Sequence, residues 1–142
     1  MTSRIGGVFL LAVAVVVAVH TVVEPLYHVS AEGQPYSPVW EVLDPIMVVA
    51  VALGTVVAWQ RKRRVDEEGD DATVTRAFLA ANALFFGFLF IDILLLWSWF
   101  NLLSPGFTGA GPEAASVIWM IIDAGLPLLC GATGVGLLRR SG

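Results

Sequence analysis

Phe88-Leu89-Phe90-Ile91-Asp92-Ile93-Leu94-Leu95-Leu96-Trp97 is a strongly apolar run with one carboxylate in the middle. A soluble domain has little use for an acid in such a run. In a membrane, an acid at that depth marks a functional site by default. Three other apolar runs repeat the pattern, each with one ionisable side chain, so the run decides both the class of molecule and where to look.

Composition agrees with a membrane protein. Of 142 residues, 57% are hydrophobic and 14% charged, and mean hydropathy is +0.80. A soluble domain carries about a quarter charged residues. The net charge of -4 gives no support to nucleic-acid binding. Cys130 is the one cysteine, so no disulfide forms within the chain and no thiolate zinc site is available.

The expected architecture is all-α: a single domain over residues 1–142, a polytopic membrane protein built as a four-transmembrane-helix bundle. The spans are expected at about 5–24, 38–60, 75–100 and 116–138. Arg4 before an apolar run also fits a signal peptide, but no polar stretch with an Ala-x-Ala site follows, so the first run reads as a retained span. Ser37-Pro38 reads as a cap and first helical position. Pro45 then falls inside the second helix, and residues 65–73 and 101–115 read as loops.

Orientation follows from the basic residues. With four spans, Arg4, Arg61, Lys62, Arg63, Arg64, Arg76, Arg139 and Arg140 all fall on one side. Both termini are therefore expected to be cytoplasmic, in the plasma (cytoplasmic) membrane. Trp40, Trp97, Trp99 and Trp119 cluster near the outer boundary and Trp59 near the inner one.

The flanking arginines serve as a ruler. His20 is 16 residues from Arg4, Asp44 is 17 from Arg61, Asp92 is 16 from Arg76 and Asp123 is 16 from Arg139. Each should lie ~24 Å from the cytoplasmic boundary, one group per helix, in one layer of the outer half. Glu24, His28 and Glu41 form a second tier one turn outward. His20-x3-Glu24-x3-His28 shares a helical face if the helix survives Pro25. The outer half holds Glu24, Glu32, Glu41, Asp44, Asp92, Glu113 and Asp123, and no Lys or Arg. An ionised carboxylate in hydrocarbon costs at least ~2.5–3.5 kcal/mol. Compensation must come from a metal ion, bound protons or a partner's basic side chains.

Asp, Glu and His together suit Zn, Fe, Mn or Cu(II). Met47 and Met120, three residues from Asp44 and Asp123, would favour Cu(I) or simply pack. Cys130 lies too deep to join the layer. Trp40-x3-Asp44 and Trp119-x3-Asp123 match, and each indole N–H is placed to reach its acid. Ala14/Ala18, Ala83/Gly87 and Ala132/Gly136 are small-xxx-small pairs for close helix packing, and Asn82 and Thr133 are placed to bond across helices.

The functional expectation is an accessory subunit of a larger membrane complex or a homo-oligomer, non-catalytic rather than a stand-alone enzyme. Its His20, Asp44, Asp92 and Asp123 cluster would hold a transition metal ion, as in a companion of a metal-dependent oxidoreductase. The alternatives are a cation- or proton-coupled transporter, a metal- or His-dependent enzyme at the outer face, or a structural subunit whose acids pair with a partner's basic residues. Its surroundings are the lipid bilayer and other membrane subunits.

Overall fold

The computed structural model describes residues 2–31, 36–68, 74–104, 106, 109 and 111–140. Four helices are formed: α1 (Thr2–Tyr27), α2 (Trp40–Glu68), α3 (Arg76–Leu103) and α4 (Pro112–Arg140). Each is long and apolar enough to cross a membrane. Their lengths are 26, 29, 28 and 29 residues. At 1.5 Å per residue that is ~39–44 Å, more than the ~30 Å of a hydrocarbon core.

The outward faces are apolar too. Val8, Val15, Val19, Val22 and Leu26 form a helical stripe on α1, and Val22 is 74% exposed. In water such a stripe would be a large liability; against lipid tails it is the expected surface. The interior holds Leu10, Val17, Met47, Phe88, Leu95, Ile122, Leu126 and Cys130. Met47 and Cys130 thus act as packing groups.

α1 and α4 extend beyond the expected spans at both ends, and α2 and α3 start one or two residues late and end beyond them, each for a local reason. α1 passes through Pro25 and ends at Tyr27, and His28 N–H still donates to Glu24 O at 2.9 Å. Ser37 opens the turn ahead of α2 instead of capping the helix: its Oγ accepts from Val39 N–H at 3.3 Å and its carbonyl from Trp40 N–H at 3.1 Å. Pro38 therefore lies in the turn and α2 begins at Trp40, two residues later than expected. α2 runs on to Glu68, so residues 65–68 are helix rather than loop. No Gly or Pro interrupts 60–68, and Lys62–Asp66 (2.5 Å) and Arg63–Glu67 (2.9 Å) pair one turn apart. Thr75 caps α3 by accepting from Phe78 N–H at 3.1 Å. α3 continues to Leu103 and α4 starts at Pro112, the first helical position that suits proline. The expected loop at 101–115 is correspondingly shorter. Its residues 105, 107, 108 and 110, like Glu32 in the first loop and 69–73 in the second, lie outside the described residues.

The bundle is not square. α1 packs along α4, and α2 along α3. α4 also touches both α2 and α3, while α1 and α3 sit at opposite corners without contact among the described residues. The short diagonal is therefore α2–α4, and this decides which acids meet.

Two glycines set the helix separations. A methyl group on Gly134 of α4 would lie 2.8 Å from Gly7 O and 3.0 Å from Leu11 N of α1, so backbone touches backbone there. One on Gly54 of α2 would overlap the fully buried Phe88 ring of α3. Of the small-residue pairs read from sequence, Ala14 faces Gly131 and Gly87 receives Leu129. Ala83 and Ala132 are exposed, and nothing lies within 4 Å of a methyl on Gly136. Asn82 Nδ2 donates to Phe78 O of its own helix at 2.9 Å, and Thr133 Oγ1 is buried without a partner. Neither links helices as expected.

The antiparallel order brings Arg4, Arg61–Arg64, Arg76, Arg139 and Arg140 to one end of the bundle. We refer to that as the basic end and to the other as the acidic end.

Candidate functional site

At the acidic end a pocket of about 240 Å³ opens between the helices. Glu24 of α1, Asp44 of α2 and Asp123 of α4 all line it, with Trp40, Trp119 and Tyr36 among its walls. The pocket is a consequence of the short diagonal. α2 and α4 run in the same direction, and Trp40-x3-Asp44 and Trp119-x3-Asp123 stand side by side on them. Asp44 and Asp123 come close enough for their charges to act on one another, and Glu24 acts on Asp123 as well.

Glu24 is the engaged member of the three. Its Oε1 accepts from Ser37 N–H at 2.7 Å, and its Oε2 accepts from the Trp40 indole N–H at 2.9 Å. The carboxylate thereby ties the end of α1 to the start of α2. The Trp40 N–H goes to Glu24, not to Asp44 one turn away as the spacing implies. Asp44 is 7% exposed, and its Oδ1 has no hydrogen-bond partner. Asp123 Oδ1 is likewise buried and unpartnered. No Lys or Arg lies among the pocket residues.

His20 stands beside this pocket, not in its wall. Its ring meets Trp40 edge-on, with centroids 4.6 Å apart. Its Nδ1 lies 3.0 Å from the Tyr27 hydroxyl, which donates to Ser37 Oγ at 3.2 Å. His20 Nε2 is buried without a partner. His28 Nε2 is too, but it lies off the pocket. Glu41 is exposed and also off the pocket.

Asp92 is elsewhere. Its Oδ2 accepts from Thr55 Oγ1 of α2. Thr55 stands eleven residues beyond Asp44 along the same helix, ~16 Å away. The arginine spacing does not say which neighbour Asp92 faces: α2 stays helical for seven residues past Arg61, while α3 begins at Arg76, and Asp92 meets Thr55 and not Asp44. Arg76 thus lies further toward the basic end than Arg61, and Asp92 is drawn the same way. Ile91 packs against Gly125, which puts Asp92 near the height of Asp123 but turned toward α2. The expected single layer is therefore two sites: a pocket of Glu24, Asp44 and Asp123, and a separate Asp92–Thr55 bond.

Among the described residues, no three His, Cys, Asp or Glu side chains are grouped to hold a metal ion. Tyr36, Ser116 and Thr55 belong to the two sites and Tyr27 adjoins the pocket through His20; none of these was singled out from the sequence, and Ser37, which bonds Glu24, was read there only as a helix cap. Thr55 had a signal, as one of the few hydroxyl groups in an apolar run. Tyr27 and Tyr36 had none, because interfacial aromatics are expected anyway.

The Glu24 latch makes a prediction. Glu24→Ala should cost about 1.5–3 kcal/mol, since it removes a charged acceptor and leaves a backbone and an indole N–H unpaired. Trp40→Phe should cost less, and the double variant less than the sum. Thermal unfolding in detergent reads all three; strict additivity would mean that the two groups do not act as a unit.

Comparison with protein-family models, with curated proteins and with solved structures finds no match for this chain.

Proposed function

We propose that this chain is a non-catalytic, membrane-integral binding subunit whose acidic pocket receives one cationic group, the ammonium or guanidinium of a partner's lysine or arginine. Both termini would be cytoplasmic by the excess of basic residues at their end, with the pocket opening to the opposite face. The observation that carries the reading is the pair of buried, unpartnered oxygens, Asp44 Oδ1 and Asp123 Oδ1, across one pocket with no internal cation. Two such carboxylates in low dielectric are costly until something positive meets them. At about 240 Å³ the space exceeds what a bare ion needs and suits a side-chain head. The Trp40 and Trp119 rings in its wall add favourable surface for a cation.

The test uses protein in nanodiscs titrated with propylguanidinium and followed by tryptophan fluorescence. Binding should saturate, and Asp44→Asn or Asp123→Asn should weaken it about tenfold or more, or 1.4 kcal/mol. Asp92→Asn should leave it unchanged, because that acid bonds Thr55 outside the pocket. No saturable response, or equal loss in Asp92→Asn, would remove the reading.

A second reading keeps a transition metal (Cu, Zn, Fe or Mn) at Glu24, Asp44 and Asp123, and with it the role of companion to a metal-dependent oxidoreductase. What favours it is that Asp44 and Glu24 both lie near enough to act on Asp123, although the three are not grouped as a ready-made ligand set. Elemental analysis separates the two: stoichiometric metal, lost in Asp44→Asn, would replace the organic cation.

A further inference from the structure

A second pocket lies at the basic end between α1, α2 and α4, with a volume of about 460 Å³. Its mouth carries Arg61, Arg64 and Arg140. Arg61 and Arg64 are three residues apart and share a face of α2; Arg140 comes from the last turn of α4. Among the described residues none of these three guanidinium groups pairs with a carboxylate. Their neighbours behave otherwise: Lys62 bonds Asp66 and Arg63 bonds Glu67. Asp66 and Glu67 of α2 thus pair with the cations outside the pocket, while Arg61, Arg64 and Arg140 line it together. Such a group needs an anion.

The walls behind the arginines are apolar. Leu53 and Val57 of α2 and Leu137 of α4 run away from the mouth toward the middle of the bundle. Leu53 is eight residues, ~12 Å, from Arg61. On the α1 side the wall includes Gly6, which lies near Leu53 and Leu137. A charged mouth over an apolar slot, at the end of helices long enough to span a bilayer, has the chemistry of a phospholipid and not of a free anion. We infer that this pocket binds one anionic phospholipid, its phosphate among Arg61, Arg64 and Arg140 and an acyl chain against Leu53, Val57 and Leu137. The inference does not depend on what the acidic pocket takes.

Native mass spectrometry of the full chain from mild detergent tests it, with phosphatidylglycerol, phosphatidylcholine and inorganic phosphate added separately. One phosphatidylglycerol per chain should be retained in preference to phosphatidylcholine, and inorganic phosphate should not displace it. In Arg61→Gln/Arg140→Gln its affinity should fall roughly tenfold or more. In Lys62→Gln/Arg63→Gln, which removes the same charge outside the pocket, it should hold. Equal binding of both lipids, displacement by inorganic phosphate, or equal loss in the two double variants would each overturn the inference. The wild-type lipid comparison stands even if a variant fails to fold.

Discussion

Gly134→Leu should separate α1 from α4 and leave no stably folded bundle in detergent. Even a methyl at this position meets backbone, at 2.8 Å from Gly7 O and 3.0 Å from Leu11 N, and backbone cannot swing aside as a side chain can. Relief requires the two helices to move apart along their whole contact. In a bilayer that contact is held by close packing rather than by a hydrophobic driving force, so lost proximity is not repaid by burial elsewhere. Gly134→Ala should already cost about 1–3 kcal/mol, the range for overpacking a filled interior. Gly136→Ala is the control. Nothing lies within 4 Å of a methyl there, and alanine is the better helix former by about 1 kcal/mol, so its apparent Tm should be unchanged or higher. Thermal unfolding followed by circular dichroism gives the comparison. A Gly134→Ala protein as stable as the Gly136→Ala protein would show that the α1–α4 spacing is slack.

Gly54→Ala should cost a similar ~1–3 kcal/mol through a different atom. Here the obstacle is the Phe88 ring, fully buried between α2 and α3. A rigid ring with helices on both sides has nowhere to rotate. Phe88→Leu alone should also destabilise, by leaving a cavity beside Gly54. Together the two changes should cost less than their sum, because the alanine methyl fills part of the space the ring vacates. A coupling energy of roughly 0.5–3 kcal/mol is the scale for residues in contact. It can be measured by denaturant titration of the single and double variants in one detergent. Full additivity would mean that the ring and the glycine do not share the space.

The Gly54–Phe88 contact also bears on the carboxylates. Thr55 follows Gly54 and bonds Asp92, one turn beyond Phe88 on α3. The ring seated on the glycine therefore fixes the register in which Asp92 meets Thr55. Had α2 and α3 slid by about three turns, Asp92 would face Asp44 in place of Thr55, as equal distances from flanking arginines imply. Distance along one helix from its own arginine carries no information on how far the neighbouring helix overruns its own. The overrun of α2 to Glu68 was readable in part. Lys62–Asp66 and Arg63–Glu67 have the spacing of helical ion pairs, yet an acid-rich stretch of this kind equally suits a loop.

Much was legible from composition and spacing alone. Four apolar runs of spanning length and basic residues confined to one set of ends required a bundle of long helices, because a chain in lipid must satisfy its backbone internally. The concentration of acids at the opposite end, without a single Lys or Arg, likewise follows from the order of residues. Which acids meet did not. Asp44 and Asp123 share a pocket because α2 and α4 form the short diagonal, and Glu24 joins them because α1 stays helical through Pro25 and its carboxylate finds Ser37 and Trp40. Arg61, Arg64 and Arg140 line one pocket because α2 and α4 end side by side at the basic end. Helix existence is a property of each run by itself. Register and diagonal are set by where glycine lets two backbones or a ring come close, and only the packed structure decides that.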